Sequence, residues 1–213
     1  MVVTEIALLR LTPPVTIDDS VFRSALGNAK AVMQNYTGRR FYYLHQIEDQ
    51  SLVYIIGEWD SLDRHMNHFI PSTENQSLLE SLKHMATVDW LLHIDAPHAT
   101  LPLPDEDGKG QGAGKEYLYG ITRHFVKSGE RISFEKAFHE NKEYLQNHVT
   151  EGKIGGGWRV DKEEDKEEFV LFSPWQSVDQ HYDFADTEGF EKYGKIREYI
   201  DGAEIKHAKM LDI

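Results

Sequence analysis

The feature that most constrains this chain is that it repeats itself. Trp59-Asp60-Ser61 returns as Trp175-Gln176-Ser177, His65 returns as His181, and Gln34-Asn35 returns as Gln146-Asn147. Arg10 can be set against Arg123 in the same comparison. A period of roughly 115 residues is too long for a solenoid and suits a duplicated domain. Whatever order of elements the first half has, the second half should share it.

In the first half, Thr4 to Leu11 reads as a strand stopped by Pro13-Pro14, and Asp18 to Tyr36 places Phe22, Ala25, Leu26, Ala29, Val32 and Met33 at helical spacing. Arg40 to Ile47 and Leu52 to Trp59 read as a hairpin turning at Glu48-Asp49-Gln50. Ser61 caps a short helix through Phe69, a helix follows from Asn75 to Met85, and Val88 to Ile94 is the last strand. The second half runs in the same order. It has a strand from Glu116 to Phe125, a helix from Ser133 to His148, a hairpin from Ile154 to Phe172, helices after Ser177 and Gly189, and a strand from Ala203 to Leu211. Ser177 and Gln180 have capping-box spacing. Between the halves, Pro97 to Gly114 is rich in Pro and Gly around Asp105-Glu106-Asp107 and reads as a linker. The expected division is residues 1–96, a linker at 97–114, and residues 115–213.

Strand, helix, hairpin, helix, strand is the ferredoxin-like β-α-β-β-α-β order. The predicted class is therefore α+β: two tandem ferredoxin-like units, each with an antiparallel four-stranded sheet covered by helices on one face. Burial of their open faces against each other would make an intramolecular dimeric α/β barrel. Such a chain has no obligatory open face, so a monomer with an internal pseudo-dimer is expected, with a weak homodimer as the other reading.

The net charge of −13 divides into −5 over residues 1–100 and −8 over the remainder. Both halves repel phosphate backbones and acidic lipid surfaces, which argues against nucleic acid or membrane partners. No stretch is apolar enough to span a bilayer, no leader pattern opens the sequence, and Cys is absent, so a cytoplasmic location is expected. The acidic run Asp161 to Glu168 reads as a solvated hairpin tip. Gly155-Gly156-Gly157 lacks both a phosphate-loop Lys and dinucleotide spacing, and reads as a bulge or a close backbone approach.

Glu58-Trp59 followed by a short helix bearing His65 and His68 resembles the antibiotic-biosynthesis-monooxygenase family of dimeric α/β barrels. The second copy keeps Trp175 and His181 and has Phe184 where a simple alignment puts His68. The resemblance implies a small-molecule pocket between sheet and helices. It also implies, for some members, oxidation of phenolic or polyketide substrates with no metal or flavin. Relatives of the same shape degrade haem, isomerise or cyclise small molecules, so fold alone does not choose a reaction. The Asn that some oxidative members carry on the first strand is missing from both copies.

The residues themselves suggest a division of labour. His65, His68 and His181 are candidate general bases near neutral pH. Trp59 and Trp175 could floor an aromatic pocket or simply pack at strand ends. Arg10 and Arg123, near Tyr119 on the strand face, could bind a phenolate, enolate or carboxylate, or could form surface ion pairs. His124 falls on the opposite face from Arg123 and ranks below it. No metal site and no cofactor is expected. The leading function is an enzyme that abstracts a proton from an aromatic or polyketide-like ligand, leading to cofactor-free oxygenation, cyclisation or isomerisation. A haem-binding or haem-degrading barrel and a non-catalytic ligand-binding or structural barrel are the alternatives.

Overall fold

A computed structural model describes residues 1–104, 117–161 and 166–213. The chain divides into two compact units, Met1–Pro97 with Lys209–Ile213, and His98–Ala208. Of the expected linker, residues 105–114 lie outside the described residues, as do Glu116 at the expected start of the next strand and residues 162–165 of the acidic tip. The first part of that linker is packed chain: Leu101 and Leu103 are 4% and 6% exposed.

In the first unit, β1 (Val3–Leu11) pairs antiparallel with both β3 (Leu52–Trp59) and β4 (Ala86–Ile94), and β2 (Phe41–Gln46) pairs with β3. The strand order is β4-β1-β3-β2. Helix α1 (Ser20–Thr37) starts where the Asp19 carboxylate accepts from the backbone N–H groups of Val21 and Phe22. It ends at Gly38, whose φ of 69° lets its N–H turn back to Gln34 O. Its buried residues Phe22, Leu26, Ala29 and Met33 form one stripe. The Tyr43 hydroxyl donates to Leu26 O at 3.1 Å, so the helix covers the sheet face that carries Tyr43, Ala7 and Trp59. α2 (Thr73–Leu82) is capped by Ser72. It ends three residues earlier than the periodicity suggests, and β4 begins correspondingly sooner.

The second unit has the same layout: β5 (Leu118–Val126), α3 (Arg131–His148), β6 (Gly155–Trp158), β7 (Glu167–Trp175), α4 (Val178–Asp183), α5 (Glu188–Tyr193) and β8 (Ile200–Leu211), with strand order β8-β5-β7-β6. α3 buries Phe134, Ala137, Phe138, Asn141 and Leu145. The triple glycine is a close backbone approach, as expected. A Cβ on Gly155 would lie 2.0 Å from Thr100 O, and one on Gly156 would lie 2.2 Å from Val170 O. Among the described residues no helix is long and apolar enough to cross a membrane.

Candidate active site

In the first unit, strand pairing sets Val3 opposite Trp59, with Glu5 opposite both Gly57 and His93. With side chains alternating along each strand, Glu5, Trp59 and His93 therefore share the helix-covered face. Trp59 Nε1 donates to Glu5 Oε2 at 2.7 Å. His65 stacks on the indole, with ring centroids 4.0 Å apart and planes 10° from parallel. Its Nδ1 is 2.6 Å from His93 Nε2, and its Nε2 is 3.8 Å from Glu5 Oε2. Phe69 and Tyr36 close the cluster, 5.0 and 6.2 Å from the indole. Trp59, His65 and His93 are 0%, 2% and 0% exposed, so this site is filled by its own side chains.

The second unit rebuilds the stack with a different polar partner. His181 lies 4.2 Å from Trp175 at 11°, and its Nδ1 is 2.8 Å from His207 Nε2. Here Leu118 pairs with Trp175 and Gly120 with Ser173. Gly120 thus takes the place of Glu5, and Ser173 that of Gly57. The Trp175 N–H donates to Ser173 Oγ at 2.8 Å. The acceptor for the indole has moved across to the neighbouring strand, and the glycine has moved the other way. Each glycine is required: a Cβ on Gly57 would sit 2.1 Å from the Phe41 ring, and one on Gly120 would sit 2.8 Å from Trp175 Nε1.

Two alignments made on the sequence change in three dimensions. Arg64–Phe69 is a π-helix, in which Ile70 N–H reaches back to His65 O at 2.9 Å. The wider turn adds a residue, so Phe69 rather than His68 occupies the position of Phe184. Phe69 packs on Tyr36 and Phe184 packs on His148, and those two residues contact the equivalent tryptophans. His68 points outward, 56% exposed, with Nε2 3.3 Å from Asp63. Likewise, counting pairs from each tryptophan sets Arg123 (opposite Val170) level with Leu8 (opposite Tyr54), so Arg10 and Arg123 are not equivalent.

The two arginines and Tyr119 lie on the sheet faces away from the Trp–His stacks. Arg10 is held by Asp89 and Asp49. Arg123 bonds to Glu168 at 2.5 Å and Glu204 at 3.2 Å, and Tyr119 donates to the Tyr117 hydroxyl at 3.1 Å. Of the residues expected to form a site, the structure brings together Trp59 with His65 and Trp175 with His181.

Beside His181 is a cavity of about 120 Å³ between the sheet and helices of the second unit. Leu145, Leu171, Phe184 and Ile196 supply apolar wall, while Thr122, His124, Ser173 and Tyr193 supply polar groups. The positions level with Thr122 and His124 in the first unit are Ala7 and Leu9, so this polar lining belongs to one unit alone. The Nδ1 of His124 lies 3.2 Å from Phe169 O, which fixes it as the N–H and leaves Nε2 as the acceptor. Burial pushes the His124 imidazole down to about 4. Burial, with His207 and His148 alongside, does the same to His181. Both rings are neutral at pH 7. Burial also raises the Tyr193 phenol. His124 was discounted on the sequence, although its alternation with Thr122 and Gly120 already placed it on the tryptophan side. Among the described residues no group of three or more His, Asp or Glu side chains is placed to hold a metal ion.

No protein-family model matches the chain, and no curated protein sequence matches it. Solved structures do. An anthrone oxidase-like protein superposes with a TM-score of 0.68 at 11% identity, covering 99% of this chain and 92% of that one. A candidate monooxygenase of Fusobacterium nucleatum gives 0.65 at 12% identity, covering 99% and 93%. A mutant chlorite dismutase from Candidatus Nitrospira defluvii gives 0.59 at 12% identity, covering 99% and 92%. At these identities the likeness concerns the fold alone, and the expected α+β, ferredoxin-like class holds at that level.

Proposed function

We propose that the protein is an enzyme that admits a compact aromatic molecule to the cavity of the second unit and removes a proton from it, with His124 or His181 as acceptor. The observation that carries this reading is the pairing of two neutral imidazoles with an apolar cavity between sheet and helices. The proton goes to an imidazole nitrogen and its electron pair stays on the ligand as a phenolate or enolate. Oxygenation, cyclisation or isomerisation can each start from that anion. The names oxidase-like and monooxygenase carried by structural neighbours agree with this reading at the level of chemistry.

The depressed imidazole restricts the substrate. Transfer from an ordinary phenol, with a pKa of about 10, to an imidazole near 4 is uphill by about 8 kcal/mol. Attraction between the new ion pair at about 4 Å returns about 4 kcal/mol at an effective dielectric of 20. The substrate must therefore be more acidic than a simple phenol, as a ring activated by a carbonyl is. A cavity of about 120 Å³ matches one ring, since an engineered space of about 150 Å³ holds benzene, and a tetrapyrrole does not fit it. Haem binding at this site is the weaker reading for that reason.

Deuterium exchange into activated monocyclic phenols and cyclic diketones, followed by NMR alongside oxygen uptake, tests the proposal. Exchange that is lost in His124→Leu and His181→Ala supports it. Exchange unchanged in the double variant removes the imidazoles from the reaction, and the ligand-binding or scaffold alternative then stands.

A further inference from the structure

The cavity has a charged mouth that plays no part in the proton transfer just described. Arg197 is exposed, lines the cavity, and holds its guanidinium carbon over the Phe190 ring, 4.2 Å from the centroid. Gly194 gives it room on another side, since a Cβ there would stand 3.6 Å from both Cζ and Nη1. The group is thus held over an aromatic ring in a way a swinging surface cation is not. In a chain of net charge −13, an arginine normally finds a carboxylate, as Arg10, Arg39, Arg123, Arg131 and Arg159 all do. Arg197 has no carboxylate or other hydrogen-bond acceptor within bonding distance among the described residues. Among the described residues the cavity lining contains no Asp or Glu, and Arg197 is its one permanently charged group.

We propose that the second unit's cavity selects a monocyclic aromatic carboxylate, its ring among Leu145, Leu171, Phe184 and Phe190 and its carboxylate on the Arg197 guanidinium. This rests on the reading of that cavity as the ligand site and adds the class of ligand. A planar guanidinium presents paired N–H donors in the geometry of a carboxylate. A hydroxyl at the other end of such a ring meets Thr122, Ser173 and the two imidazoles, all of them lining groups.

Isothermal titration of the full chain with 4-hydroxybenzoate and its neutral isostere 4-hydroxybenzamide separates the two levels of the argument. The acid should bind at least about tenfold tighter than the amide, a preference of the size expected for a charge-assisted pair at a partly exposed site. In Arg197→Gln the acid should fall to the affinity of the amide. In Ala203→Leu, which fills the cavity from β8, both should be lost. Equal binding of acid and amide to the unaltered protein overturns the carboxylate proposal and leaves the cavity reading intact. So does a preference for the acid that survives in Arg197→Gln. Failure of both compounds to bind, or binding that Ala203→Leu does not weaken, overturns the cavity reading and the proposal with it.

Discussion

Replacing His124 by leucine, the residue at the level position of the first unit, should flatten the acid side of the stability curve. The folded imidazole titrates at about 4 against 6.5 for an unperturbed one. A histidine depressed by folding holds fewer protons in the native state than in the unfolded chain at any pH between those values. The part of the stability linked to this group is therefore intact above 6.5, falls as the pH drops through 6.5, and is fully lost only below about 4. Between about pH 7.5 and about pH 5.5 this one group removes about 1.3 kcal/mol, over a range in which ordinary carboxylates stay ionised. His124→Leu leaves Phe169 O without its donor, a cost that does not vary with pH. Urea unfolding at the two pH values gives four free energies. The native protein should lose about 1.3 kcal/mol more than the variant on acidification, with the shared contributions of His181 and the other histidines cancelling. Parallel losses, within about 0.3 kcal/mol, would refute the assignment of His124 as a buried neutral imidazole.

Three further outcomes follow from the packing. Gly57→Ala drives a methyl group into the Phe41 ring and should cost about 1–3 kcal/mol, read as a lower urea midpoint. Glu5→Leu leaves the buried Trp59 N–H without its acceptor, and should cost about 1–3 kcal/mol with a shift in tryptophan emission that Glu5→Gln largely avoids. Arg123→Met strips one of two arginines from Glu168, which is 4% exposed. It should destabilise by about 3 kcal/mol, and Arg123→Met with Glu168→Leu should recover part of that in a double-mutant cycle.

The repeat and the alternation of its strands were legible because both are written in sequence periodicity. Trp59 and Trp175 could be anchored at strand ends, and Ser61 and Ser177 could be assigned as caps: Arg64 N–H and Gln180 N–H do donate to them, at 3.0 and 3.1 Å. The π-helix was not legible, because its hydrogen bonds skip one residue more than the period being read, and a single extra residue was enough to misplace His68 against Phe184. The His65–His93 and His181–His207 contacts were also hidden. Each joins a helix to the last strand of its unit, and only strand register brings them together. Arg197 gave no sequence signal, since its interest lies in having no carboxylate within bonding distance among the described residues, which is a property of space.

The exchange of Glu5 and Gly57 for Gly120 and Ser173 limits how the two halves can change. Each tryptophan N–H needs one acceptor and each site has room for only one, so the two strand positions are constrained jointly. Moving from one arrangement to the other by single steps passes through one of two poor intermediates. Two glycines leave a buried indole unsatisfied, and two side chains compete for the same few ångströms. Even Ser at position 57 would press on Phe41. The two halves are thus held apart by a mutational barrier at this pair, and an exchange of sequence between them preserves the core only when the exchanged tract carries both strands.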